Sequence, residues 1–438
     1  MTTDKTQTKL TKEQTHAIAL LSIGVFLEDF DRMLHGHIAV IINDLFFPQK
    51  SSFIKEFLPA FSFSSTYFLS PVGALFFGYL GDIFGRRSTI IVSSLLISAC
   101  CLTFAFLPTY EQIGVTASIL FIFCRMIQGM SGAAEVTGVE IYLSESLKPP
   151  LQYPVVALVA SFGRLGSFLA LCMAYICTNT MVLNNWSGNS WRLAFLIGSI
   201  IGMVGNVARS SLKEATEFSD KQKLLKEAFK KADIKWSKKN PSINPKVPFA
   251  TCLAYFFICC ARPLCFYLML FHCGEILRNE FKYTPTQIID NNMLPAILNL
   301  LISLLVAYCS YKLRPLWIIK FKLVIFLVSL VLFILVFYQW HTPKTLILFQ
   351  CIWATFRFDY TPAAPIFFKY FPALKRFRYT SLIRSVAITF SYTTTSFLLA
   401  YATKQFGQSG ILLIFIPFSI CFAWGIYYFE QREQMQKR

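Results

Sequence analysis

Charged residues are scarce in this sequence. Asp, Glu, Lys and Arg make up 15% of its 438 residues, whereas they make up about 25% of soluble proteins. Hydrophobic residues account for 55% of the chain, and the mean hydropathy is +0.53. A chain this apolar has too little polar surface to cover a soluble core. The composition therefore excludes a water-soluble protein and indicates an integral membrane protein.

Motifs for nucleotide binding, metal binding and hydrolysis are also missing. The chain has no Gly-Lys pair of a phosphate-binding loop, no HExxH and no recognisable Ser-His-Asp set. Its 13 Cys residues are scattered, mostly within apolar runs, and none has CxxC spacing. We interpret them as small buried hydrophobes rather than zinc ligands or disulfides. The sequence thus predicts neither an enzyme nor a cofactor or metal site.

Long apolar runs, in contrast, are abundant. The first run is followed by no cleavage pattern, which favours a retained spanning helix over a signal peptide. About twelve runs are long enough to cross a bilayer, at 17–43, 57–80, 88–108, 114–143, 153–178, 191–209, 248–272, 286–309, 316–338, 345–368, 378–402 and 410–429. We predict an all-α integral membrane protein with a tail at 1–16, six helices within 17–209, a basic linker at 210–247, six helices within 248–429 and a tail at 430–438.

Positive charge is distributed unevenly between the two ends of these helices. Of the 41 Lys and Arg residues, 28 fall on the side of the termini and the linker, and six on the other side. Because cytoplasmic loops are enriched in Lys and Arg, both termini are predicted to be cytoplasmic. The net charge of +18 then faces acidic membrane lipids, a partner that we favour over nucleic acid. In the linker, Phe218, Leu225 and Phe229 predict an amphipathic helix on the cytoplasmic membrane surface.

Two strings on the cytoplasmic side carry a family resemblance. They are "GYLGDIFGRR" at 78–87, between the second and third helices, and "RMIQGMSGAAE" at 125–135, in the fourth helix. In a chain of six plus six helices, they resemble the major facilitator superfamily. The resemblance implies twelve transmembrane helices in two six-helix bundles around a central cavity.

Within that superfamily, the chain is similar to metabolite:proton symporters of the proline/betaine transporter type. Their first helix carries Phe-Leu-Glu-x-x-Asp followed by Tyr-Gly, which residues 26–36 match except that His35 replaces the Tyr. Further landmarks are the strings at 141–146, 190–202 and 370–381. The chain departs from the pattern at Ile83 and Lys369, and the second-half counterpart of the loop motif, at 310–322, lacks its Asp and its Gly-Arg pair.

Transporters of this superfamily expose their binding site alternately to the two sides of the membrane. The loop motif implies a set of contacts between the bundles, here called the latch, that stabilises one of these two access states. By resemblance, its central pair is Asp82 and Arg86, joined by a carboxylate at the end of the fourth helix. The alternative for the two arginines is positive-inside anchoring of the loop. The predicted latch residues are Gly78, Asp82, Gly85, Arg86, Arg87 and Glu145.

A polar stripe interrupts the first apolar run. At 100° per residue, Glu28, Asp31, Arg32 and His35 fall within an arc of about 100° on one helix, and Asp29 borders it. An ionised group at the centre of a membrane helix costs roughly 2.5–3.5 kcal/mol. This stripe therefore needs partners, water or a function. His37 falls on the opposite side, where we interpret it as a helix-end histidine at the membrane interface.

More ionisable residues lie deep in other predicted helices. The resemblance implies that the first, fourth, seventh and tenth helices line the cavity. One interpretation is that these charges only pair to hold helices together. Buried ion pairs rarely repay their desolvation compared with apolar packing, so we favour a water-filled functional cavity. The deep charges are Arg32, Arg125, Arg164, Arg262 and Arg357 against Glu28, Asp29, Asp31, Glu135 and Asp359.

Roles follow from the chemistry of the side chains. Only groups that titrate can carry protons, which favours Glu28, Asp31 and Glu135. Arginine forks suit a substrate carboxylate. The predicted substrate-binding residues are Asp29, Arg32, His35, Arg125, Gln128, Arg164, Arg262, Arg357 and Asp359.

These observations predict a monomeric secondary transporter of a bacterial inner membrane, driven by an ion gradient. We expect it to import a small charged or zwitterionic metabolite, foremost an amino acid, together with a proton. The resemblance also implies that related proteins in bacteria that live inside host cells import amino acids. We therefore place an amino acid first among the expected substrates. Two alternatives stay open: an exporter or antiporter of the same fold, and a transporter-like receptor that binds without transport.

Overall fold

The computed structural model describes residues 7, 9–38, 42, 45–47, 66–178, 190–214, 220 and 247–437. Within these ranges the chain forms twelve helices of 14 residues or more. They are α1 Lys12–His37, α2 Ser70–Ile83, α3 Arg86–Phe106, α4 Val115–Ser146, α5 Gln152–Thr178, α6 Ser190–Arg209, α7 Phe249–Tyr267 with its continuation Leu268–His272 and Cys273–Asn279, α8 Pro285–Lys312, α9 Pro315–Gln339, α10 Pro343–Phe356, α11 Arg376–Phe406 and α12 Gly410–Lys437.

The helix surfaces are those of a membrane protein. Eight helical stretches of the described chain are long and apolar enough to cross a membrane. On α9, the side chains of Trp317, Phe321, Val324 and Val328 recur at helical spacing and are each more than half exposed. In water such a face would be unfavourable, whereas lipid tails solvate it without cost. The apolar residues thus form an outer surface toward lipid as well as the interior of the protein.

The helices assemble into two bundles. In the first, α1 packs on α5 and α6, and α3 packs on α4 and α6. In the second, α7 packs on α11 and α12, and α10 packs on α8 and α9. The bundles meet along two helix pairs, α5 with α8 and α2 with α11. This arrangement confirms the predicted all-α fold of two six-helix bundles.

The tenth span departs from prediction, because its helix is interrupted. The apolar run 345–368 was expected to form one helix, but α10 ends at Phe356 and the chain resumes as Thr361–Ala363 and Ala364–Phe368. Pro362 and Pro365 lie in the resumed part and lack the amide donor that a continuous helix would use. The break places Arg357 and Asp359 on non-helical backbone within the membrane, which is typical of ion and substrate sites in transporters.

The linker helix predicted around Phe218, Leu225 and Phe229 lies outside the described residues. The same holds for the start of the second span, 57–65.

Candidate functional site

A cavity of about 200 Å³ lies between the two bundles. It is smaller than the roughly 300–1,000 Å³ of sites for drug-sized ligands, so it fits a small metabolite. Both bundles contribute to its wall. Nine of the predicted site residues line it, namely Glu28, Asp29, Asp31, Arg32, Arg125, Gln128, Arg164, Arg262 and Arg357.

Asp29 of α1 is the centre of an arginine cluster. Its side chain is buried and contacts Arg32 one turn along the same helix. Its Oδ2 atom lies 3.4 Å from Nη1 of Arg164 on α5 and 3.8 Å from Nη2 of Arg262 on α7. One carboxylate therefore serves three guanidinium groups, and it connects the first bundle with the second.

Arg164 extends this cluster across the cavity. Its Nη2 donates to Oδ2 of Asp359 at 2.9 Å, and the same oxygen lies 3.8 Å from Nη2 of Arg357. Oδ1 of Asp359 accepts hydrogen bonds from the backbone N–H and the hydroxyl of Thr361, at 3.1 and 2.5 Å. Asp359 thus binds the first residue of the resumed segment while it pairs with Arg164. The result is an Asp29–Arg164–Asp359 bridge between the bundles.

Asp31 belongs to a second, neutral group within the first bundle. Its Oδ1 accepts from Nε2 of Gln128 at 3.0 Å and from the thiol of Cys101 at 3.2 Å. Its Oδ2 lies 3.6 Å from Nη1 of Arg125, which also donates to Gln128 at 2.7 Å. All the charges of this group are internally matched.

Glu28 has one carboxylate oxygen that pairs with an arginine and one that does not. Oε1 pairs with Nη1 of Arg32 at 3.0 Å. Oε2 is buried and accepts no hydrogen bond from the described part of the chain. Gly132 of α4 leaves the space for this carboxylate, because a Cβ added there would lie 3.0 Å from Oε1. A titratable group with a free oxygen at a cavity wall is suited to take up a proton.

Three predicted site residues do not line the cavity, namely Asp359, described above, His35 and Glu135. His35 is buried among the rings of Phe104, Phe121 and Phe195, with centroid distances of 5.3–6.2 Å. It shares an arc with Glu28, but its ring lies among these aromatic side chains and not in the cavity wall. Glu135 pairs with Arg209 at 3.0 Å and accepts from Ser93 at 2.7 Å, inside the first bundle. Gly132, Ala133 and Val136 of the same helix line the cavity, so Glu135 is excluded by the direction of its side chain toward Arg209 and Ser93 and not by its height along α4.

The structure adds residues that the sequence reasoning did not assign. Arg384 of α11 lines the cavity, and its Nη1 lies 2.8 Å from Oε2 of Glu140 on α4. Both side chains are buried, so this is a further ion pair between the bundles, in addition to those of Arg164 with Asp359 and of Arg262 with Asp29. The sequence did contain a signal for this pair, because an acidic residue at position 140 lies inside an apolar run and needs a partner. His37, interpreted above as a helix-end histidine at the interface, also lines the cavity.

The predicted latch residues lie where α2, α3 and α4 meet α11. Arg86 is fully buried and donates to Glu145 at 3.1 and 3.2 Å and to Asp82 at 3.3 Å. It also donates to the carbonyl oxygens of Gly81 and Ala373, both at 2.7 Å. Arg86 therefore joins both bundles.

Other latch contacts reach the second bundle in the same region. Glu145 pairs with Arg376 of α11 at 2.8 Å, and Asp82 accepts from the backbone N–H of Arg378 at 3.3 Å. Gly78 permits this close approach, since a Cβ there would lie 2.8 Å from Cα of Arg378. The bundles are in contact at the latch end in this structure.

The neighbouring loop positions have different surroundings. Gly85 has φ of +104°, a conformation that other residues rarely adopt. Arg87 contacts the carbonyl oxygen of Ser210 at the end of the first bundle. Glu214 accepts the backbone N–H groups of Arg86 and Arg87 at 2.8 and 3.3 Å, and thereby caps α3. The sequence reasoning missed this cap.

Comparisons with known proteins agree with this architecture. The sequence model of the Major Facilitator Superfamily matches residues 21–275 of this chain. The chain is 30% identical over 203 residues to the proline/betaine transporter of Escherichia coli K12, covering 46% of this chain and 40% of that protein. It is 33% identical over 202 residues to the citrate-proton symporter of Salmonella typhi, covering 46% of each. The matches thus span less than half of these relatives.

Solved structures show the same fold over nearly the whole chain. The proton:xylose symporter XylE of E. coli superimposes with a TM-score of 0.75 at 13% identity, covering 95% of both chains. FucP of E. coli, in the outward conformation, gives 0.66 at 15% identity, covering 95% of this chain and 98% of FucP. The chain therefore belongs to the Major Facilitator Superfamily, a family of multi-pass membrane transporters rather than enzymes, and within it resembles the proline/betaine type.

Proposed function

We propose that the protein is a secondary active transporter of a bacterial inner membrane. It imports a small charged or zwitterionic metabolite, foremost an amino acid, together with a proton by alternating access. The observation that carries this proposal is the bridge in which Arg164 holds Asp29 of α1 and Asp359 beyond α10. It joins the two bundles at the cavity through charges for which a ligand can compete.

Binding and opening are coupled through that bridge. A substrate carboxylate near Arg164 competes with Asp29 and Asp359 for its guanidinium group. When the substrate takes over this hydrogen bonding, the direct link between the bundles weakens. Rocking of the bundles about the cavity then changes the side from which the substrate is accessible.

Protonation of Glu28 acts on the same bridge. As a carboxylate, Glu28 shares Arg32 with Asp29. Once Glu28 takes up a proton, Arg32 interacts with Asp29 alone, and Asp29 holds Arg164 less strongly. Proton and substrate thus loosen one set of contacts from two directions, which is the thermodynamic requirement for symport.

The relatives support the chemistry without fixing the substrate. They include transporters of proline and betaine and a citrate-proton symporter. The solved neighbours include a proton:xylose symporter. Proton coupling therefore recurs among proteins similar to this chain, whereas their substrates differ.

Uptake into proteoliposomes tests the proposal. Purified protein should accumulate labelled amino acid when the outside is acidic, and accumulation should vanish when an ionophore collapses the gradient. Vesicles without protein provide the control. Uptake that requires a gradient of the opposite sign would indicate an exporter or antiporter. Ligand-induced thermal stabilisation without flux under any gradient would indicate a receptor.

A further inference from the structure

The cavity carries a surplus of positive charge. Among the described residues, six arginines line its wall and three carboxylates do so. Two further carboxylates, Asp359 and Glu140, pair with these arginines from behind the wall. Six arginines against five carboxylates leave one positive charge without a counterpart. The sequence had predicted five against five, and the structure changes this balance by removing Glu135 and adding the Glu140–Arg384 pair.

The surplus is located at the ends of the Asp29–Arg164–Asp359 bridge. The closest carboxylate oxygen of Asp29 lies 3.8 Å from Arg262, and that of Asp359 lies 3.8 Å from Arg357. These distances exceed those of a hydrogen bond. In both cases the same oxygen has a nearer partner in Arg164, at 3.4 and 2.9 Å. Arg262 and Arg357 therefore face the cavity with fork donors that Asp29 and Asp359 do not satisfy.

The other lining arginines are better matched. Arg384 pairs with Glu140 at 2.8 Å, and Arg125 donates to Gln128 at 2.7 Å beside Asp31. Arg32 pairs with Glu28 at 3.0 Å. Nε of Arg125 and of Arg164 is buried without a hydrogen-bond partner among the described residues, but both side chains donate through another nitrogen. Arg262 of α7 and Arg357 at the break after α10 have only carboxylates at 3.8 Å, and they are therefore the best placed to bind an anion.

A neutral zwitterion fits this electrostatic pattern poorly. Its carboxylate would satisfy one fork, but its cationic group would add a positive charge where one is already in excess. Uncompensated charge in a poorly solvated site is strongly unfavourable. A ligand with two carboxylates satisfies both forks and brings the net negative charge that the wall lacks.

We propose, on the basis of the proposed transport function, that the substrate is a small dicarboxylate anion. Arg262 and Arg357 each hold one carboxylate by a bidentate hydrogen-bonded pair. The dicarboxylate has two sources, an organic acid or an acidic amino acid. In the second case, the carboxylate of Glu28, which lines the cavity, would be the acceptor for the ammonium group.

Ligand binding to the full chain in detergent tests this assignment independently of transport. The probes are succinate, L-glutamate, L-proline and glycine betaine, as sodium salts or with added sodium chloride so that ionic strength is equal. We expect succinate, L-glutamate or both to raise the thermal unfolding temperature. Proline and betaine should leave it unchanged at the same concentrations. The contrast between succinate and L-glutamate distinguishes the organic acid from the amino acid.

Arginine variants locate the site. Arg262→Gln and Arg357→Gln should each weaken dicarboxylate binding roughly ten- to hundredfold, because each removes a charged hydrogen-bonded pair. Arg262→Lys keeps the positive charge but loses the bidentate donors of the guanidinium group. Its affinity for dicarboxylates should lie between those of the unmodified protein and Arg262→Gln. The matched control is Arg192→Gln, because Arg192 donates to the carbonyl oxygen of Ala105 away from the cavity. That control should bind as the unmodified protein does.

Each outcome decides between defined alternatives. Stabilisation by proline or betaine to the same degree as by dicarboxylates would overturn the inference, as would stabilisation by none of the four probes. Equal dicarboxylate binding in Arg262→Gln, Arg357→Gln and the Arg192→Gln control would overturn the roles of the two arginines. Dicarboxylate binding without flux in proteoliposomes would overturn the proposed function while leaving the binding site in place.

Discussion

Two clusters of arginine and carboxylate join the bundles, and they differ in how completely their hydrogen bonds are satisfied. At the latch, Arg86 makes five hydrogen bonds of 2.7–3.3 Å, to two carboxylates and two carbonyl oxygens. At the cavity, Arg262 and Arg357 have their nearest carboxylates at 3.8 Å. Both clusters are made of the same residue types, and both connect the same two bundles.

In our proposal, this difference separates a structural contact from a binding site. A saturated guanidinium group has no donor left for a ligand, and we propose that at the latch it stabilises one access state of the protein. An unsaturated one retains donors that a substrate can use, at the cost of weaker contacts within the protein. Burial and charge alone do not distinguish the clusters, whereas the distances to their partners do.

The largest effect is expected at the cavity, from removal of the charge of Glu28. Glu28→Gln should abolish proton-driven accumulation, because the amide cannot take up and release the coupled proton. Exchange of substrate across the membrane should persist, because exchange needs the alternating motion without net proton release. Counterflow and pH-jump uptake in proteoliposomes measure the two activities separately.

The control for that experiment is Glu13→Gln, since Glu13 is exposed and pairs with Lys213 at the surface. This variant should accumulate substrate normally. If Glu28→Gln accumulates substrate to the unmodified level, the proton site lies on another carboxylate.

The next largest effect is expected at the saturated cluster. Arg86→Gln leaves the buried carboxylates of Asp82 and Glu145 without their shared partner, which costs about 3–5 kcal/mol of stability. Thermal unfolding in detergent measures this loss. Arg87→Gln is the matched control, and its loss should be about 1 kcal/mol or less. Equal unfolding temperatures for the two variants would contradict the distinction between the clusters.

A smaller effect should follow from Asp82→Asn, which keeps the shape of the latch but removes one charge. Asp82 accepts a hydrogen bond from the backbone of Arg378 across the bundle interface, so its loss unbalances the access states without changing the cavity. We expect the transport rate to fall severalfold while ligand-induced thermal stabilisation stays the same. Transport at the unmodified rate across a range of substrate concentrations would remove Asp82 from the latch.

The smallest effect is expected from steric pressure on Glu28. Gly132→Ala would place a methyl group 3.0 Å from Oε1 of that carboxylate and displace it slightly. The half-saturating substrate concentration should change by roughly two- to fivefold. Gly36→Ala is the control, because a Cβ there meets no described atom within 4 Å. Identical kinetics for both variants would show that the position of Glu28 is not critical.

Some features of this protein could be read from the chain alone. Membrane insertion, the number of spans and the division into six and six depend on local composition, which a sequence displays directly. The strings at 78–87 and 125–135 carry the family resemblance for the same reason. The charged stripe on α1 also followed from helical periodicity, and the structure places its Glu28, Asp31 and Arg32 together at the cavity wall.

The tertiary structure alone decided which charges meet. Glu135 and Glu140 lie five residues apart on α4, yet one pairs within its bundle with Arg209 and the other across the interface with Arg384. The break after Phe356 likewise determined which side chains Arg357 and Asp359 can contact. Periodicity gives the face of a single helix, but a pairing depends on the rotation and axial offset of two helices far apart in sequence. Those offsets follow from packing of the whole chain.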